Sequence, residues 1–108
     1  MSKPNKTNII AGLYQCFAFE TITVATTVQQ LTQATYEDDD SDPAKRAVIT
    51  VEDGQIRYRL DGTNPTATVG HLLNPMDSLV IIGTQNIQNF RTIRKGSTSG
   101  VISVSYER

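Results

Sequence analysis

The sequence predicts an all-β protein: a single antiparallel β-sandwich or jelly roll with an extended N-terminal arm. Three observations carry this expectation. Short runs of alternating apolar and polar residues recur along the chain, punctuated by Gly, Asn, Pro and Asp. Thr and Ser are abundant while strong helix formers are sparse, a balance that favours strands and turns. A chain of 108 residues with 38% apolar content suits one domain with one core, without metal or disulfide staples.

In chain order, residues 1–14 are expected to form the arm and residues 15–108 the sandwich. Met1 to Asn8 is polar and carries Pro4, and Ile9 to Tyr14 reads as a short strand or an extended segment. Phe17, Phe19, Thr21 and Thr23 alternate with Ala18, Glu20, Ile22 and Val24, a strand with apolar groups on both faces. Val28 to Tyr36 is read as a strand, although Val28, Leu31, Ala34 and Thr35 also fit a helical turn. Charge repulsion and Pro43 make Glu37 to Pro43 a loop. Ala47, Ile49 and Val51 then alternate with Val48, Thr50 and Glu52.

Asp53-Gly54 is the strongest short hairpin signal, because both central residues of a type I′ turn need positive φ. It predicts that Gln55 to Leu60 pairs antiparallel with Arg46 to Glu52, with Ile56, Tyr58 and Leu60 in the core. A Thr-rich loop from Thr63 to Gly70 follows, and Asn74-Pro75 marks another turn. The unbroken Leu79-Val80-Ile81-Ile82 predicts that Ser78 to Ile82 is a strand buried on both faces. Phe90 and Ile93 cannot share a strand face, so Ile87 to Arg94 should contain a bulge or turn. Gly96 to Gly100 is a turn, and the last strand sets Ile102, Val104 and Tyr106 against Val101, Ser103 and Ser105.

The formal net charge of -1 gives no reason to expect nucleic acid as a partner. No apolar run approaches the roughly 20 residues that span a bilayer. The start lacks the continuous apolar region of a signal peptide, which points to synthesis in the cytoplasm. Cys16, followed by Phe17 and Phe19, is expected to be a small buried residue. The acidic run Glu37, Asp38, Asp39, Asp40 and Asp42 reads as a solvated loop, with contact to a basic face of another subunit as the alternative.

No constellation for catalysis stands out. His71 is the single histidine, and no strained turn presents a serine to it, so it reads as a turn residue bonding a backbone group. The acidic run lacks the spaced ligands, central glycine and terminal glutamate of a calcium loop. Glu20, Glu52 and Glu107 sit in strands without a glycosidase-like pairing. Gly96 to Gly100 leads into a strand and not into a helix that could bind phosphate. Arg57 beside Tyr58 and Arg91 beside Phe90 point away from their aromatic neighbours in an alternating strand, so they do not build a base-stacking platform. Solvated or interface arginines are the better reading, and the planar guanidinium suits an interface because it bonds two acceptors at once.

Ala47–Glu52 reads Ala-Val-Ile-Thr-Val-Glu and Ile56–Arg59 reads Ile-Arg-Tyr-Arg. Asp61–His71 reads Asp-Gly-Thr-x-Pro-Thr-Ala-Thr-Val-Gly-His, Phe90–Arg94 Phe-Arg-x-Ile-Arg, and Val104–Arg108 Val-Ser-Tyr-Glu-Arg. In these motifs, a little over half of the chain resembles a family of small proteins encoded by tailed bacteriophages and prophages. The acidic run lies outside the pattern. Ile56, Tyr58, Asp61-Gly62-Thr63 and Pro65-Thr66 are also similar to the strand–turn motif of sandwich domains appended to chitobiase-like glycosidases, which implies a sandwich.

The phage likeness implies a non-enzymatic virion structural protein without cofactor or metal, and a compact β domain with an arm fits a capsid decoration (cement) protein. The alternatives are a neck, tail or baseplate component, or a carbohydrate- or host-surface-binding module. Expected partners are copies of the chain itself, with a trimer favoured, and the major capsid protein or another virion protein; neither nucleic acid nor membrane is expected. Candidate partner-binding residues are Lys3, Lys6, Ile9 and Ile10 in the arm and Arg57, Arg59, Arg91 and Arg94 in the strands.

Overall fold

Residues 14–39 and 41–108 are described by a computed structural model. The expected Ile9–Tyr14 strand and the arm before Tyr14 lie outside the described residues. Seven strands and two short helices follow in the order β1 (Cys16–Val24), α1 (Gln33–Tyr36), β2 (Arg46–Asp53), β3 (Ile56–Arg59), β4 (His71–Leu73), β5 (Ser78–Ile82), α2 (Thr84–Asn89), β6 (Arg91–Arg94) and β7 (Gly100–Glu107). They form two antiparallel sheets, one of four strands in the order β1-β7-β2-β5 and one of three in the order β4-β3-β6. The all-β sandwich expected from the alternating pattern is what forms.

Period-two alternation places the core. In β7 every second residue is buried, with Ile102, Val104 and Tyr106 inward. In the ladders these residues stand beside Val51, Ile49 and Ala47 of β2. Ile22 and Val24 of β1 join them, and Ile56, Leu73, Phe90 and Thr92 close the core from the smaller sheet. At roughly 25 cal/mol per Å2, each fully buried Ile or Phe contributes about 2–3 kcal/mol.

The hairpin expected at Asp53-Gly54 does not form. Both edges of β2 are already taken, one by β7 and one by β5, and β3 pairs with β4 and β6 in the opposite sheet. Gly54 has φ +69°, as a type I′ turn would require, but it turns a corner between sheets. A Cβ there would lie 2.7 Å from the Ser99 carbonyl oxygen, so glycine is required by contact as well as by φ. Gly100 completes the corner, since a Cβ on it would meet Ile56 Cγ2 at 2.5 Å.

Other local expectations yield to tertiary context. Val28 to Tyr36 is not a strand: it makes one bridge, Gln29 to Thr92, and then the single turn of α1. That turn buries Tyr36 against Tyr106, with ring centroids 5.7 Å apart. The irregularity expected over Ile87 to Arg94 is the end of α2 followed directly by β6, which leaves Phe90 fully buried at the junction. β5 is buried on one face only: Ile81 is inward, while Val80 and Ile82 are 46% and 59% exposed. On the outer side of its sheet Tyr14 lies over the Arg46 guanidinium and Val48 is half-buried, while Val80 and Ile82 stay open. Phe19, 61% exposed, and Cys16 likewise lie on the surface and not in the core. Cys16 precedes a register shift in the β1–β7 ladder, which ends strict alternation there.

Candidate functional site

Pairing of β3 with β6 brings the four strand arginines onto one small sheet. Arg59 stands opposite Arg91, Arg57 opposite Ile93, and Ile56 opposite Arg94. Directly opposed residues share a face, so Arg57, Arg59 and Arg91 project from the outer side. Arg94 takes the alternate register, with Thr92 and Ile56. Lys3, Lys6, Ile9 and Ile10 lie outside the described residues.

Three of these arginines serve the fold. Arg57 donates from Nη1 to Gly70 O at 3.0 Å and from Nε to Ala67 O at 3.3 Å. It thereby holds the 60–70 loop against the sheet, with Pro65 fully buried beneath. A Cβ on Gly70, where φ is +140°, would crowd Pro65 and the Tyr58 carbonyl, so the loop's return is closely packed. Arg59 grips Asp61 with a bidentate fork, Nη2 to Oδ2 at 2.6 Å and Nε to Oδ1 at 3.1 Å. That fork, followed by the Thr63 N–H, holds the Asp61 carboxyl below the usual carboxylate range. Arg91 donates to Gln88 O at 3.3 Å.

The loop and the end of the sheet enclose an open groove of about 540 Å3, lined by Arg59, Leu60, Asp61, Val69, Gly70 and His71. His71 is not the turn residue expected from the sequence. It lies in β4 opposite Tyr58, and the two rings sit 5.2 Å apart. Tyr58 in turn stacks on Phe90 at 5.8 Å. Asp61 shares the groove with His71, but its hydrogen bonds go to Arg59 and Thr63 and not to the imidazole. The groove offers guanidinium N–H groups, a ring and the apolar Val69.

If Arg57 clamps the loop, Arg57→Ala should leave the fold intact but raise amide exchange across Thr63 to Gly70 by about tenfold, for roughly 1–1.5 kcal/mol of lost local stability. Mass-detected hydrogen exchange reads this directly. Unchanged exchange would show that Pro65 burial alone holds the loop.

The acidic loop is not a freely solvated knot. Arg108 reaches Asp38 at 2.6 Å and Asp42 at 3.6 Å while lying over the Phe17 ring, and Lys45 takes Asp42 at 2.7 Å. Asp39 accepts both the N–H and the hydroxyl of Ser41, which holds its carboxyl low. Arg108 of the same chain thus takes the place that the alternative reading gave to a basic face of another subunit. Among the described residues no group of three or more His, Cys, Asp or Glu converges as a metal site would require, and no helix is long and apolar enough to cross a membrane.

Two features escaped the sequence reading. One is a carboxylate facing inward: Glu20 accepts from the Tyr106 hydroxyl and from Thr32 N–H and Oγ1, the last at 2.6 Å. The signal was present, because Glu20 shares the register of Ala18, Ile22 and Val24. The other is the outer face of the four-stranded sheet, where Phe19, Ser105, Val48 and Val80 form one cross-strand row. No sequence signal marks this row as uncovered, since the Leu79 to Ile82 run looks the same whether or not its outer side is capped. Comparison with protein-family models, curated proteins and solved structures returned no match to this chain.

Proposed function

We propose that this chain is a non-enzymatic structural component of a bacteriophage particle, a capsid decoration protein that binds the shell in many copies. The observation that carries the reading is the cross-strand row of Phe19, Ser105, Val48 and Val80 on an outer sheet face, bordered on one side by Thr21, Ser103 and Thr50 and on the other by Ile82 and the Arg46–Glu107 ion pair. An exposed apolar strip with a polar rim is the kind of surface that proteins bury against one another. The sequence likeness of Ala47–Arg108 to small phage proteins supports the same reading. Self-association into trimers would multiply weak contacts to the shell. The partners are then other copies of the chain and the major capsid protein, and the site of action is the virion.

Quantitative mass spectrometry of purified particles tests this. Hundreds of copies per particle are expected; about a dozen would move the protein to the neck, tail or baseplate, whose rings carry few subunits. Absence from the particle would end the reading.

A further inference from the structure

The edges of the two sheets are not alike. β1 carries a register shift between Cys16 and Ala18, and Thr32 folds against it through Glu20. β6 is bridged to Gln29, and its Arg94 N–H donates to Ala25 O at 3.1 Å. β4 is three residues long. Shortness, bulges and coverage are the devices by which natural sheets blunt their edges. Among the described residues β5 has no bulge, and its edge is covered only at Ile82, where α2 follows. Ser78-Leu79-Val80-Ile81-Ile82 contains no charge and no proline, and it pairs with β2 without a register shift.

Two hydrogen bonds fix which way its backbone faces. Gly83 N–H donates to Lys45 O at 2.7 Å and Val51 N–H to Asp77 O at 3.0 Å. In an antiparallel ladder bonded pairs alternate, so Leu79 and Ile81 bond to β2 while Ser78, Val80 and Ile82 turn their N–H and C=O groups to the open side. Among the described residues the Asn86 side chain bonds to this row, at Ile82 O and 2.9 Å; a carbonyl oxygen keeps a second lone pair.

We propose that β5 pairs antiparallel with β5 of a second copy of this chain, about a two-fold axis at Val80, joining two four-stranded sheets into one of eight. A two-fold interface must be compatible with itself. A charged residue on β5 would meet its like near the axis; this strand has none. Val80 meets its own counterpart, and Ser78 meets Ile82 of the second copy. The exposed Val80, with Val48 beside it on the same face, then forms with its counterparts an apolar row that crosses the junction of the two sheets. The pairing rests on strand chemistry and goes beyond the decoration reading. In a particle it would link one three-fold unit to the next.

Disulfide trapping in the full-length protein tests both the partner and the register, in a Cys16→Ser background that removes the exposed native thiol. Directly opposed residues of a bonded antiparallel pair have Cα atoms about 5.5 Å apart, within disulfide range. Val80→Cys should therefore cross-link into dimers under mild oxidation, while Ser78→Cys, facing Ile82, should not. In light scattering Val80→Lys should halve the mass of a dimeric wild type while leaving the circular dichroism of the folded sandwich unchanged. The proposal is overturned if Ser78→Cys cross-links as readily as Val80→Cys, if Val80→Lys leaves the mass unchanged, or if the wild type stays monomeric at about 100 μM. All of these are read on the isolated protein, so failure here is separable from failure of the virion reading.

Discussion

Replacing Gly54 with alanine is expected to destabilise the protein by about 3 kcal/mol, adding left-handed backbone strain to a contact that cannot relax. The strain follows from φ +69°. The contact is with backbone: the new Cβ would lie 2.7 Å from Ser99 O and 2.9 Å from Gly100 Cα. A flexible side chain could swing away, but Ser99 and Gly100 lead directly into β7, the strand between β1 and β2. For a domain of this size the cost corresponds to a fall of roughly 15 °C in Tm by calorimetry. Gly96→Ala is the control, because a Cβ there meets nothing within 4 Å, and a change within about 0.5 kcal/mol is expected. If the two variants melt alike, the corner does not depend on Gly54.

Tyr106 should show the largest side-chain effect. It is fully buried, packs on Tyr36, and donates its hydroxyl to Glu20, which also accepts twice from Thr32. Tyr106→Ala is expected to cost about 4 kcal/mol, the range for removing a buried aromatic ring. Tyr106→Phe keeps the ring but takes one donor from a carboxylate at the core's edge, for about 2 kcal/mol. Urea titration of both variants separates packing from hydrogen bonding. If Phe costs as little as about 0.5 kcal/mol, Thr32 alone satisfies Glu20.

The same residue sets an alkaline limit. Burial first, and then the hydrogen bond and negative charge of Glu20, push the Tyr106 phenol far above its ordinary value of 10.0. In the unfolded chain it ionises near that ordinary value. Above it the unfolded state has lost a proton that the native state keeps. The stabilisation from the neutral phenol is complete below pH 10 and declines as pH rises further, by about 1.4 kcal/mol per unit for one proton. Tyr36 and Tyr58 are raised by burial in the same direction. Tyr106→Phe should therefore flatten the decline above pH 10 without abolishing it. An unaltered slope would mean that Tyr106 is not the group responsible.

Much of the sandwich can be read without coordinates. The β7 alternation of Ile102, Val104 and Tyr106 and the β2 alternation of Ala47, Ile49 and Val51 identify core faces, because side-chain direction in a strand has period two whatever the partner. Glu37 to Pro43 is a loop on its own chemistry, although the ion pairs that hold it come from Arg108 at the far end of the chain. The strand arginines were identifiable as a group. That Arg57 clamps a loop and Arg59 binds Asp61 depended on how the 60–70 segment folds back.

Sequence alone therefore determined the class of fold, the strand interiors and the inward faces of β2 and β7, since these follow from periodicities within a few residues. Tertiary structure decided the pairing. Asp53-Gly54 meets the local requirement of a hairpin and of a sheet-to-sheet corner equally well, and the choice fell to β7 and β5, which occupy both edges of β2. It likewise decided coverage: the apolar run of β5 is the same in either case, and an outer face open at β5 leaves Val80 and Ile82 exposed. Pairing and coverage are properties of distant partners, and only the assembled chain brings those partners together.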